Sequence, residues 1–526
     1  MSTPFDSLLS AIRASRRSSL PREGETIVVS DTVAAAASAY EAVRNSLEYD
    51  EEHLMRRNAI RRILRRRVED EASRPLAADL LRELIWARYL PNKQVPETMV
   101  GTVAAVFEKY RPLFTAARAN ERRAGKLFDW LLDVLSTEVE YAIHPPMADE
   151  ALVGVAYREL KRRMVWANPM VAEEDRDVQL YMAVHRAVAK SNPPTLRFRL
   201  FTLYYPSWPK ADPAGPLPGE VAAVLPTVID AVERQLRHPS ADQVYRLARK
   251  HAVVFHVLRD VAEADPDAFS TAVAMRDTAW LDKALIKAAE RRYDLFRKSL
   301  FRSVFRAATF LFLTKMFLAL LVEFPYERLV LDEVHMHPLL INIFVPPLLL
   351  AVIGLSARIP EKRNTKKILE EVHAIIGTGR DFTAVLKPLG AWDHGVGGAV
   401  FRVMYALMFV FTAGVLILGL RAVEFNAFSI ALFLFFLSLV AFFGLKIRSG
   451  VKELVIVESS GNVLSIMADI FFLPIVRAGR WLSIRIPKIN VFLFFLDFLI
   501  EAPFKAAIRL SESWILFLRE KKEEIS

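Results

Sequence analysis

Residues 303–323, SVFRAATFLFLTKMFLALLVE, decide how the chain is read. From Ala307 to Val322 only Thr309, Thr314 and Lys315 interrupt an apolar run. Residues 1–302 are charged, punctuated by proline and helix-forming. After the step come three further apolar runs, Pro338 to Ala357, Val403 to Leu420 and Ala427 to Leu445. Each approaches the length of about 20 residues that crosses roughly 30 Å of hydrocarbon, the first run being the shortest. Lys315 tests the first assignment. A central lysine costs about 2.5–3.5 kcal/mol on insertion, and each Leu, Phe or Val returns about 0.3–0.6 kcal/mol. Nine such residues between Phe310 and Val322 offset it, so the run still reads as a span.

The totals agree with a mixed chain. It has 526 residues, 53% hydrophobic yet 25% charged. The net charge of +10 needs no nucleic acid, because membrane proteins carry excess Lys and Arg on the cytoplasmic side. With no cysteine, disulfides, thiol catalysis and Cys-ligated metal sites are excluded.

Lys and Arg counts set the orientation. Arg291, Arg292, Arg297, Lys298, Arg302 and Arg306 precede the first span, and the 357–402 loop carries eight such residues. The other two loops carry one each, Arg328 and Arg421. The positive-inside rule then places the N-terminal part, the 357–402 loop and the C-terminus in the cytoplasm, of a cell membrane in a prokaryote.

The expected fold is all-α: an irregular helical cytoplasmic domain, a four-helix transmembrane bundle, and interfacial or re-entrant amphipathic helices. Residues 1–30 read as a mobile tail, although Phe5, Leu8, Leu9 and Ile12 fall at helical spacing. Residues 31–300 form the cytoplasmic domain, 301–446 the four-span domain with its 357–402 loop, and 447–526 an amphipathic tail on the cytoplasmic side. Leu127, Trp130, Leu131, Val134 and Leu135 mark one helical stripe, and Val244, Leu247, Val253, Val254, Val257 and Leu258 another. Ser240 with Gln243 suggests a capped helix start. Five prolines and two glycines between Pro206 and Gly219 allow a subdivision at 192–219. Thr195 to Tyr205 before it reads as a short strand or an extended arm.

Two basic groups invite a partner. Seven of the twelve residues from Arg56 to Arg67 are arginine, among them Arg57, Arg61, Arg62, Arg65 and Arg66. They describe either a solvated helix paired with the acids flanking it or a patch for anionic lipid or an acidic protein. Nucleic acid is disfavoured, since the run has no aromatics for base stacking. In the tail, Arg477, Arg480, Trp481, Arg485 and Lys488 separate the apolar segments 463–476 and 489–500, each with one acid, Asp469 and Asp497. Both segments are too short to span. They read as helices lying in the interface, the alternative being a re-entrant hairpin whose acids face a water-filled path.

Lys315 is the leading single site, because an intramembrane charge is a functional hypothesis by default. Its structural reading is a lysine bonded to Asn342 or to backbone freed by Pro346 and Pro347. Its functional reading is an ion or substrate pathway with Asp469 or Asp497 as counter-charge. Asp332, Glu333, His335 and His337 are metal-capable types in one loop, of which His335 and His337 are weak candidates. Gly377-Thr378-Gly379-Arg380 lacks the Lys-Ser/Thr of a phosphate loop, and no catalytic signature occurs. No cofactor is called for, and the chain leans away from an enzyme. The leading expectation is a membrane-anchored scaffold or regulator acting through a protein partner, with homo-oligomerisation open. The alternative is a channel or transporter using Lys315, Asn342, Asp469 and Asp497.

Overall fold

The structure, a computed structural model, describes residues 5–18, 25–29, 52–68, 72–167, 171–330, 335–357, 360, 362–386, 396–451, 453–456 and 471–481. It is all-α apart from two three-residue strands. The described residues fall into two units, one of residues 1–161 and 171–248, the other of residues 162–170 and 249–491.

The first unit is built on helices α1 (Asp6–Ser18), α2 (Glu52–Arg67), α3 (Ser73–Trp86), α4 (Thr98–Ala119), α5 (Ala124–Ile143), α6 (Met147–Arg163), α7 (Glu173–Val188), α8 (Pro193–Tyr204), α9 (Pro216–Ala223), α10 (Leu225–Leu236) and the start of α11 (Ala241–Ala264). Helix α5 is its centre, with α2, α4 and α8 packed around it. The expected stripe from Leu127 to Leu135 is buried, and so are Asp133, Glu138 and Glu140 of the same helix. Buried carboxylates must be paired, and these are. Glu138 accepts from Lys109 Nζ, from Tyr110 Oη at 2.6 Å and from Trp208 Nε1 at 2.8 Å. Burial first, then the Glu138 carboxylate, pushes the Tyr110 phenol well above its ordinary range.

Several local expectations are revised. Residues 1–30, expected as a mobile tail, include α1, and Phe5, Leu8, Leu9 and Ile12 are all buried. Glu25 to Val29 runs beside 92–97, with Ile27 N donating to Val95 O at 2.9 Å and Glu97 N to Glu25 O at 3.0 Å. Residues 195–204 belong to helix α8, neither strand nor arm, and Tyr205 follows its end. The Asn192 side chain accepts from Thr195 N at 3.3 Å, and prolines occupy the first turn, where their missing N–H costs nothing. Burial of Leu196, Phe198 and Phe201 outweighs their β-propensity. The Pro-rich stretch after it lies inside the unit. Its Trp208 is fully buried, edge-on to Tyr110 at 5.3 Å and to Phe201 at 4.9 Å. Helix α11 starts where Ser240 suggested, but the Ser240 hydroxyl is buried with no partner among the described residues, so no capping box forms.

The second unit holds the rest of α11, then α12 (Pro266–Met275), α13 (Thr278–Leu318), a π-helical turn (Ala319–Glu323), α14 (Phe324–Val330), α15 (Met336–Leu355), α16 (Lys362–Ile376), α17 (Val396–Arg421), α18 (Ala427–Val451) and a helix over residues 471–481. Strand β1 (Met164–Trp166) pairs in parallel with β2 (Ala384–Leu386). Four of its helices are long and apolar enough to cross a membrane: Thr278–Val330, Met336–Leu355, Arg402–Arg421 and Ala427–Gly444. These match the four runs read from sequence and mark a membrane protein. The step in hydropathy at 303 is not a boundary in space. It falls within α13, which the Asp277 side chain caps by accepting from Trp280 N at 3.0 Å. Helix α13 meets α15 through Gly354, where a Cβ would collide with the γ-methyl groups of Val304, so opposite valine only glycine permits this approach.

His185 of α7 supplies a pH test for the first unit. Its ring is fully buried, 4.5 Å from the Tyr181 ring, and neither nitrogen has a partner among the described residues. Burial, and secondarily the Arg199 charge, lower its pKa from 6.5 to about 3. The unfolded chain takes up a proton below its ordinary pKa while the folded chain resists it. Stability from this group is therefore complete above 6.5 and falls as pH drops from there toward 3. Thermal midpoints of the full chain in mild detergent, between about pH 7 and about pH 5, should fall less steeply in His185→Leu than in the parent. Equal slopes would contradict this assignment.

Candidate functional site

A regular helix turns roughly 100° per residue, so Glu323, eight residues beyond Lys315, would stand roughly 80° around the axis from it. The π turn at Ala319–Glu323 absorbs one extra residue and brings Glu323 back to roughly the i+7 direction, on the lysine's own face. The two charges meet there, Lys315 Nζ lying 3.7 Å from Glu323 Oε1. From α15, Asn342 closes the group. Its Oδ1 accepts from Lys315 Nζ at 2.5 Å, and its Nδ2 donates to Glu323 Oε1 at 2.6 Å. From α18, the Phe436 ring lies with its centroid 4.3 Å from Lys315 Nζ, in cation–π contact. All three polar side chains are 1% exposed or less.

One cluster thus ties three apolar helices together. Asn342 also precedes Pro346 and Pro347 inside α15. Neither proline has an N–H to offer, so the carbonyls of Asn342 and Ile343 lose their usual partners beside the cluster. Glu323 Oε2 has no hydrogen-bond partner among the described residues. A second acid node follows on α14. Glu327 accepts from Asn426 Nδ2 at 2.9 Å and from His335 N at 3.2 Å, while Asn426 Oδ1 accepts from Ser429 N at 2.8 Å at the start of α18. Chemically the first group is a charge-neutral ammonium, carboxylate and amide set. It can lock helices in register or hold a proton.

The sequence paired Lys315 with Asn342 but treated Glu323 only as the end of a span. The counter-charge is Glu323; Asp469 and Asp497 lie outside the described residues, as do Arg485 and Lys488. The missed signal is an acid eight residues from an intramembrane lysine, legible only once a π turn is allowed. His335 takes part through its backbone, His337 is exposed, and no group of three metal-capable residues occurs among the described residues.

The arginine run is mostly taken up by structural pairs. Arg56 and Arg57 are buried. Arg56 forms a two-pronged pair with Glu140, Nε to Oε2 at 2.8 Å and Nη2 to Oε1 at 2.7 Å. Arg61 binds Asp133 at 2.6 Å, and Arg65 lies 3.4 Å from Asp129. These acids come from α5, far along the chain, whereas the sequence pointed to acids flanking the run. Arg62 is half-buried, and only Arg65 and Arg66 of the six candidates present exposed side chains. On the 471–481 helix, Arg477 stacks on Tyr405 at 4.5 Å, Arg480 is exposed and Trp481 is 55% exposed. That helix lies along α17 and α18. Phe471 O accepts from Thr412 Oγ1 at 3.2 Å, and a Cβ on Gly479 would collide with the Ser438 carbonyl.

No family model, curated protein or solved structure matches this chain.

The cluster predicts a reversal of what the lysine alone would suggest. A lone buried lysine replaced by methionine should stabilise the protein. Here Lys315→Met leaves Glu323 buried without its counter-charge and should destabilise by about 3 kcal/mol. Replacing both residues by methionine should recover most of that loss. Denaturation of the full chain in mild detergent measures the cycle, and strictly additive losses would contradict the pairing.

Proposed function

We propose that this protein is a membrane-embedded scaffold or regulator that acts through protein contacts, its large helical part and both termini in the cytoplasm. The observation that carries this reading is α13. One helix of 41 residues extends from the charged region into the apolar one, and it is continuous with the π turn and α14. A flexible tether would carry glycine or proline at the step. An unbroken helix instead transmits displacement between a partner-binding surface and the spans. The closed Lys315–Asn342–Glu323 set fits the same role, because it holds the first two spans in one register and leaves no uncompensated charge in the cluster. Charge bias supports the orientation, with Lys and Arg concentrated before the first span and between the second and third.

A second reading, ion or solute transport, is favoured by two observations: ionisable side chains buried at a π turn beside paired prolines, and a short helix aligned with α17 and α18. Four spans make a thin wall, so this reading requires an oligomer.

Flux separates the two. The full chain, purified and reconstituted in liposomes, should leak protons and small cations no faster than empty vesicles. Cross-linking in native membranes should yield a discrete heteromeric species. A flux that Lys315→Met abolishes would overturn the regulator reading and select transport.

A further inference from the structure

Carboxylates answer many cations in both units: Arg56 by Glu140, Arg61 by Asp133, Arg123 by Asp230 and Arg197 by Glu233 in the first, Arg292 by Asp260 and Lys367 by Glu370 in the second. A group of six in the second unit behaves otherwise. Lys298, Arg302 and Arg306 of α13 and Lys362, Arg363 and Lys366 of α16 are all exposed, and none forms an ion pair among the described residues.

Their placement is shared. Helix α16 packs antiparallel to α13, with Thr365 Oγ1 3.3 Å from Tyr293 Oη and His373 Nε2 2.7 Å from Asp282 Oδ1. Asn364 fixes this end, donating to Tyr293 Oη at 2.9 Å and to Leu454 O at 2.8 Å, while Ile456 N donates back to it at 2.8 Å. The basic N-terminus of α16 is therefore held beside the stretch of α13 that leads into the first apolar run. Along that stretch Phe301 is 58% and Phe305 67% exposed, interleaved with Arg302 and Arg306. Exposed rings alternating with arginines suit the boundary of a bilayer, where rings sit in the acyl region and guanidinium groups reach back to headgroups. At about 1.5 Å per residue, Lys298 to Arg306 covers roughly 12 Å, comparable with a headgroup layer plus a Debye length of about 8 Å.

We propose that these six cations form a collar that binds the headgroups of anionic phospholipids in the leaflet where α13 enters. The occupant is lipid and not nucleic acid, because the rings beside the collar continue into the apolar run and the collar ends where hydrocarbon begins. The proposal rests on the membrane reading of the four apolar helices and adds a lipid class to it. Anionic headgroups would supply the counter-charges that Glu140 and Asp133 provide to Arg56 and Arg61.

The test uses the full chain in nanodiscs formed from equal parts phosphatidylglycerol and phosphatidylcholine. Lipids retained after exchange into mild detergent are identified by mass spectrometry. At least about threefold enrichment of phosphatidylglycerol is expected, diminishing as salt is raised. The combined variant Lys298→Gln, Arg302→Gln, Lys362→Gln, Arg363→Gln and Lys366→Gln should abolish the enrichment, whereas Lys298→Arg with Lys362→Arg and Lys366→Arg should preserve it. If the fivefold variant does not accumulate, the α13 pair and the α16 trio are changed separately, and each should reduce the enrichment. Enrichment unchanged in the glutamine variants, or displacement of the lipid by an equal concentration of single-stranded oligonucleotide, would overturn the collar. Loss of the parent chain from membranes on carbonate washing would instead overturn the membrane reading beneath it.

Discussion

An ammonium group among apolar helices needs a counter-charge within a few ångströms, since no water is there to solvate it. Lys315 sets that requirement, and much of the second unit follows from it. The π turn brings Glu323 onto the lysine's face. Asn342 bridges the two charges with one donor and one acceptor. Phe436 covers the remaining side. Because these residues sit on three different helices, satisfying one charge also fixes the register of α13, α15 and α18. Ordinary packing of Leu311, Leu350, Phe436 and Val440 then fills the space around them. Packing alone discriminates register weakly among helices whose surfaces are uniformly Leu, Phe and Val. A buried polar set discriminates it strongly, because any slip leaves a charge unpaired.

The same pairing of buried charges runs through the first unit. Helix α5 is buried on nearly all sides and still carries Asp133, Glu138 and Glu140, each of which draws a basic side chain inward. Arg56, Arg61, Lys109 and Arg197 are consequently structural, and the arginine-rich α2 is largely bound to its neighbours. On α13 and α16, by contrast, six clustered cations form no ion pair among the described residues. Counting Arg and Lys in a sequence does not separate these two populations; knowing where the carboxylates stand does.

Helical periodicity and apolar run length were local properties, so the all-α class, the four spans and the stripe on α5 could be read directly from the residues. What stayed hidden depended on partners distant along the chain. The strand-like composition of residues 195–205 concealed a helix because Asn192 and two prolines at its start, together with burial of Phe198 and Phe201, outweigh intrinsic preference. The pairing of Arg56 with Glu140 spans 84 positions and leaves no local trace. The pairing of Lys315 with Asn342 was accessible from their chemistry. Glu323 was missed because it is in phase with Lys315 only through a π turn, and ordinary helical spacing places it on another face.

The register between α13 and α15 places Lys315 on Asn342 and Val304 on Gly354. The chain has no cysteine, so one engineered pair reports on it without interference. At Gly354 a Cβ would stand 3.3 Å from Val304 Cβ, close to the separation of about 3.5–4.5 Å spanned by a disulfide. The most direct measurement is mild oxidation of the full chain carrying Val304→Cys and Gly354→Cys in its native membrane, followed by non-reducing electrophoresis. A rapid intramolecular disulfide is expected, with Lys315 and Glu323 retained in place. Failure to cross-link, with both thiols still reactive, would contradict it.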